Sequence, residues 1–171
     1  MISPFRGLLQ TGGLLTPTRA IAYGALTVGV LDGLDAIVFF GLRGVPPERI
    51  FQAIASGLLG RAAFQGGVRT ALLGVLLHFT IALSVVTIYH LVSRRVPELA
   101  RRPFVWGPLY GIAVYLVMYS IVLPLSAVTM RPRPLPVVIN GLLIHMIGVG
   151  TPAALFAWAA QPAGASASEQ E

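Results

Sequence analysis

The 171-residue chain contains no cysteine and no lysine, and charged residues of every kind make up only 11% of it. The missing cysteine excludes disulfides, thiolate metal sites and thiol redox chemistry. With no lysine, all twelve cationic side chains are arginines, whose planar fork suits lipid phosphate; a GC-rich genome produces the same bias. Scarce charge, set against 56% hydrophobic residues and a mean hydropathy of +0.80, excludes a water-soluble domain of this length. There is no Gly-rich phosphate loop after a strand and no nucleophile elbow with a Ser-His-Asp set, which leaves nucleotide binding and serine hydrolysis without support. The pI near 10.8 does not point to nucleic acid, because the arginines are scattered over loops rather than gathered on one soluble face.

What is there is apolar length. A hydrocarbon core of about 30 Å asks for roughly 20 apolar residues per helical span, and four runs meet that length: 20–42, 70–92, 104–127 and 137–159. Barrel strands, about ten residues long with period-two alternation, are not seen. The expected fold class is therefore an all-α membrane protein, one four-helix transmembrane domain over 1–160 with a flexible tail over 161–171 whose small polar residues lack periodicity. The first 18 residues lack the compact apolar run and small-residue cleavage site of a signal peptide, so the first helix is expected to stay as an anchor.

Four spans put both termini and "SRRVPELARRP" on one face, A, and the loops 43–69 and 128–136 on the other, B. Each face carries six arginines, a tie under the positive-inside rule. Four of face A's arginines crowd into residues 94–102, which favours cytoplasmic termini. Tyr23, Tyr89, Trp106 and Trp158 fall near face A as an interfacial belt. In loop 43–69, "VPP" can open a helix, and Ile50, Phe51, Ile54, Leu58 and Leu59 share one side. That spacing predicts an amphipathic helix in the interface plane, or a re-entrant one packed on the bundle.

The chemistry lies in "GVLDGLDAIVFF" (29–40), where Asp32 and Asp35 interrupt a hydrocarbon-like run. The first span has eleven Ile, Leu, Val or Phe residues that favour insertion by about 0.3 to 0.6 kcal/mol each, against roughly 2.5 to 3.5 kcal/mol per central aspartate. The sum is near zero, so these acids need partners, protons or water. Counted from face B, Asp32, Asp35, His78, Tyr119, Ser120 and His145 all fall roughly 10 to 15 Å deep, forming a candidate polar layer. Asp32 and Asp35, three residues apart, share a helix face, and Gly29 with Gly33 invite close approach of another helix. The expectation is that the aspartates meet His78 and His145 across the bundle. Tyr115 and Asn140 read as packing and capping, and His90, near face A, as a plain helix-to-helix hydrogen bond. Pro124, and Pro152 behind Gly148 and Gly150, predict breaks in the third and fourth helices close to the layer.

The two histidines stand in like settings, "GVLLHF" and "GLLIHM", which suggests two helix hairpins related by a pseudo-two-fold axis. The run from "LHF" through "SRRVPELARRPFVWGPLYGIAVYLVMYSIVLPLSAVTMRP" to "GLLIHMIGVGTP" is similar to the second to fourth helices of the YagU-like bacterial inner-membrane proteins. The shared features are a histidine in helix two, an "RVP" basic turn, glycines opening helix three, a proline closing it and a histidine in helix four. The resemblance covers roughly the C-terminal 100 residues, departs in loop 43–69, and implies a multi-pass inner-membrane location without a reaction.

Three functions fit these residues. One is a small transporter or proton-linked permease, with Asp32 and Asp35 as the protonatable pair, a homodimer to supply enough helices, and the lipid bilayer as constant partner. Another is a membrane oxidoreductase or metal enzyme, since Asp32, Asp35, His78 and His145 are the ligand types for zinc, iron or manganese and two histidines can ligate haem. The third is a structural or assembly role in which the layer fixes helix register.

Overall fold

A computed structural model describes residues 14–130 and 132–161; the arm 1–13 and, from residue 162 on, the tail expected to be flexible lie outside the described residues. Helices run as α1 (Pro17–Gly41), α2 (Pro47–Leu59), α3 (Gly67–Ser93), α4 (Pro103–Leu125) and α5 (Leu135–Ala159), with no strand among the described residues. Four of them, α1, α3, α4 and α5, are long and apolar enough to cross a bilayer, close to the expected 20–42, 70–92, 104–127 and 137–159. Prolines open each helix except α3, where a fixed φ and a missing N–H cost nothing. Thr16 adds a side-chain cap to α1 by accepting the Arg19 N–H.

The second half of α5 is the hub, packing on α1, α3 and α4. Of its apolar window 39% is enclosed by protein, against 17% for α4, so α5 is central and α4 peripheral. The core joins Val28 of α1, Val86 and Tyr89 of α3 and Val149, Ala153, Ala154 and Ala157 of α5. Lipid is as apolar as leucine and gives helices no hydrophobic reason to associate, so small residues that bring backbones together carry the packing. Gly29 and Gly33 do this for α1 against α3: a Cβ at Gly29 would sit 2.5 Å from the Phe79 ring, and one at Gly33 3.3 Å from His78 Nε2.

Helix α2 packs against α3. A Cβ on Gly74 of α3 would overlap the Phe51 carbonyl of α2. The buried residues are Ile50, Gln52, Ala55 and Ser56, not the full apolar side expected, because small residues admit the closer approach. Leu58 and Leu59 are exposed. Gly60, at φ 57°, then turns the chain away. Gln52 is 2% exposed and ties this corner together: its Nε2 donates to Glu48 Oε1 at 3.0 Å and to the Gly67 carbonyl at 3.1 Å. Replacing Gln52 by leucine strands that carbonyl, and a loss of about 1 to 3 kcal/mol is expected in reversible unfolding from mixed micelles; unchanged stability would show that the corner is held by something else.

Of the four residues expected in an interfacial belt, Tyr23, Trp106 and Trp158 are exposed. Tyr89 corrects the expectation: it is buried, donates to the Leu99 carbonyl at 2.8 Å and packs edge-on against Tyr110 at 4.8 Å. The short turn Glu98–Arg101 brings that carbonyl back over the bundle, an acceptor that a count along the sequence does not reveal.

Both expected breaks are present, and each is π-helical. In α4 the π segment is Met118–Val122, just before Pro124; in α5 it is His145–Gly150, just before Pro152. A proline has no N–H for the carbonyl four residues back, and the helix widens by one residue instead. Thr151 stitches the wider turn, its backbone N–H and its Oγ1 both donating to the Met146 carbonyl.

Candidate functional site

Both breaks lie at the depth of the polar layer, and α1 runs past them carrying Asp32 and Asp35. The two acids part company. Asp32 turns to α3, its Oδ2 lying 3.9 Å from His78 Nδ1. Asp35 turns to α5, where its Oδ2 accepts from Asn140 Nδ2 at 2.7 Å. The expected meeting of aspartate and histidine therefore holds for Asp32 with His78 and fails for Asp35 with His145. Residues three apart point about 60° from each other around a helix, enough to address different neighbours.

His78 is oriented by the backbone. Its Nε2 lies 2.8 Å from the Gly29 carbonyl oxygen, which only accepts, so Nε2 holds the hydrogen. Nδ1 then faces Asp32. At 3.9 Å the contact is an ion-pair distance rather than a hydrogen bond. The Asp32 side chain is 28% exposed and that of His78 11%. Aromatic edges wall the imidazole in, Phe79 at 5.5 Å and Phe51 of α2 at 6.4 Å between ring centres. The whole arrangement depends on Gly33, whose missing side chain leaves space for the imidazole.

His145 opens the π segment of α5 and bends onto its own helix, with Nδ1 2.8 Å from the Gly141 carbonyl. Its ring stands edge-on to Tyr115 at 5.4 Å, and Tyr115 leans on Tyr119 at 4.5 Å. Arg133, from the loop on face B, closes this aromatic group: Nη1 donates to the Tyr115 hydroxyl at 2.8 Å, and the guanidinium lies 3.6 Å over the Tyr119 ring, a cation–π contact. Ser120 is exposed and points out of the layer, a correction that follows from the wider π turn on which it sits.

The layer thus consists of two sets, Asp32–His78 joined with Asp35–Asn140 through α1, and His145–Tyr115–Tyr119–Arg133 between α4, α5 and the loop. Asp32, Asp35, His78 and His145 do not converge, and no group of three or more His, Cys, Asp or Glu among the described residues is placed to hold a metal ion. Asn140, Tyr115 and Arg133 are the residues that the expected layer left out. Asn140 had a signal, being the only polar side chain in "LPVVINGLLI"; Arg133 had none beyond its place in a loop. Asp35 and Asn140 form one of the polar contacts between α1 and α5, and a double-mutant cycle with Asp35→Ala and Asn140→Ala is expected to give a coupling of about 0.6 to 1.7 kcal/mol. A coupling of zero would mean that each prefers other company.

His90 also departs from expectation. It is 4% exposed, and neither ring nitrogen has a hydrogen-bond partner among the described residues; the helix-to-helix bond read from its position is not made. No protein-family model, no curated protein and no solved structure matches this chain.

Proposed function

We propose that the chain is a proton-linked permease of the bacterial inner membrane, in which Asp32 and His78 hold the coupling proton. The observation that carries this reading is the chain Gly29 carbonyl, His78, Asp32 inside an apolar span: the backbone fixes the imidazole with its second nitrogen towards an acid 3.9 Å away. Ionisable groups within membrane spans mark ion and proton pathways and are functional candidates by default. Asp35 lies three residues on and is held by Asn140, which keeps the second acid oriented beside the first. The π turns next to the layer supply positions where α4 and α5 can change pitch. Four spans are few to enclose a path, so a homodimer belongs to the reading, as does the inner-membrane location implied by the YagU-like resemblance.

The test is proton movement in proteoliposomes carrying a trapped pH dye under an imposed potential, with infrared difference spectra of the same samples across a pH cycle. Wild type is expected to conduct above empty vesicles and to show an aspartic acid carboxyl band, with both lost in Asp32→Asn. Equal signals in wild type and Asp32→Asn would leave the layer a register device instead.

A further inference from the structure

At face A, well away from the layer, the start of α1 and the ends of α3 and α5 enclose a pocket of about 270 Å³. Its polar lining comes from His90, Ser93, Arg94 and Gln161, and its apolar lining includes Pro17 and Ala157. His90 is the anomaly within it, an imidazole nine-tenths buried with two unanswered nitrogens. A buried donor left unpaired costs about 1 to 3 kcal/mol, and natural bundles rarely retain that cost without a partner for it.

The surroundings decide which partner. Ser93 Oγ is already committed to the His90 carbonyl at 2.8 Å, so it offers only lone pairs, and Gln161 Nε2 reaches the Pro97 carbonyl at 3.4 Å. Arg94 lines the pocket with its guanidinium exposed. Glu98, next in the chain to the lining residue Pro97, is paired with Arg102 at 2.8 Å. The last turns of α3 and α5 each present about half a negative charge, while the start of α1 presents about half a positive one, and the Arg94 guanidinium is the full positive charge in the lining. Cationic pockets between membrane helices at headgroup level are suited to phosphate, and arginine grips phosphate with two parallel bonds. The volume lies just under the roughly 300 Å³ at which pockets begin to hold drug-sized molecules; it takes a headgroup and leaves any acyl chains outside.

We infer that this pocket binds a phosphate group of net negative charge, one not balanced by a cation on the same headgroup, with the Arg94 fork and a His90 N–H donating to its oxygens. The phosphate can come from an anionic lipid or from a soluble ion. The test titrates the purified full chain, in phosphate-free detergent, with short-chain phosphatidic acid, inorganic phosphate and short-chain phosphatidylcholine, reading Kd by calorimetry and Tm by circular dichroism. Phosphatidic acid is expected to bind and to raise Tm, since a ligand of the folded state stabilises it by mass action. Arg94→Gln and His90→Gln are expected to weaken binding about tenfold or more, the loss of one charge-assisted bond. Arg95→Gln, beside the pocket but outside its lining, should leave Kd within about twofold. Binding of phosphatidic acid alone assigns a lipid, and equal binding of inorganic phosphate assigns a soluble anion. Equal affinity for phosphatidylcholine, no binding of either anion, or wild-type affinity in Arg94→Gln would overturn the proposal. Arg94 is exposed, so its variant decides the matter even if His90→Gln does not fold.

Discussion

Gly150→Leu is expected to separate α4 from α5 and to cost more than about 3 kcal/mol in reversible unfolding from mixed micelles, with Gly150→Ala losing roughly 2 kcal/mol. The contact there is backbone on backbone. A Cβ on Gly150 would overlap the Gly107 carbonyl and lie 2.8 Å from Gly111 Cα, while one on Gly111 would overlap the His145 carbonyl. None of these neighbours is the movable end of a side chain, so the helices themselves must part. Separation would also open the Tyr115 to His145 contact and the close seat of Tyr115 on Gly141, where a Cβ would lie 2.7 Å from the ring. Inside a bilayer nothing replaces that lost contact, because lipid fills the gap without driving it closed. Gly41, with no atom within 4 Å of its would-be Cβ, is the control: Gly41→Ala should be neutral within about 0.5 kcal/mol. A Gly150→Leu protein as stable as wild type would mean that α4 and α5 do not meet along these glycines.

Asp32→Asn is expected to abolish proton movement while leaving the fold standing, a loss of at least about tenfold in flux against a stability change within about 1 kcal/mol. Asparagine keeps the size of the side chain and removes its ability to carry a proton, and insertion of α1 becomes easier because an amide is less costly than a carboxylate in hydrocarbon. His78 keeps its orienting bond, since the Gly29 carbonyl that accepts from Nε2 belongs to the backbone. The expected pair of results, function lost and stability kept, separates a working acid from a structural one. If the layer served only register, the same substitution would move stability and leave flux as it was. Parallel measurements on Asp35→Asn should show a smaller loss of flux, because that carboxylate already spends an oxygen on Asn140 and faces no histidine bond in this arrangement.

Several features were legible before any coordinates. Bilayer thickness demands about 20 apolar residues per span, so four spans could be counted directly, and they stand at Pro17–Gly41, Gly67–Ser93, Pro103–Leu125 and Leu135–Ala159. Depth follows from the rise per residue, which is why Asp32 and His78 could be placed at one level. The breaks at Pro124 and Pro152 follow from a missing N–H. These are properties of a single helix in a slab, and the local sequence contains all of them.

Which neighbour each side chain meets is a different kind of fact. It depends on how far every helix is rotated and which backbone it can approach, and those are set by contacts among residues far apart in the chain. Gly29 and Gly33 could be recognised as a contact surface, but that His78 would fill it, with Nε2 on the Gly29 carbonyl, required α3 to be present. Asp35 found Asn140 rather than His145 because the latter turns onto its own Gly141 carbonyl at the start of a π segment. Arg133 reached Tyr115 from a loop that no periodicity describes. His90 lost the partner expected for it because the ends of α1, α3 and α5 leave space there rather than a bonding group. The sequence alone therefore determined the number, depth and interruptions of the spans, which follow from one helix and the bilayer; the pairing of the polar groups was left to tertiary packing, where small differences in helix rotation choose among partners of nearly equal chemistry.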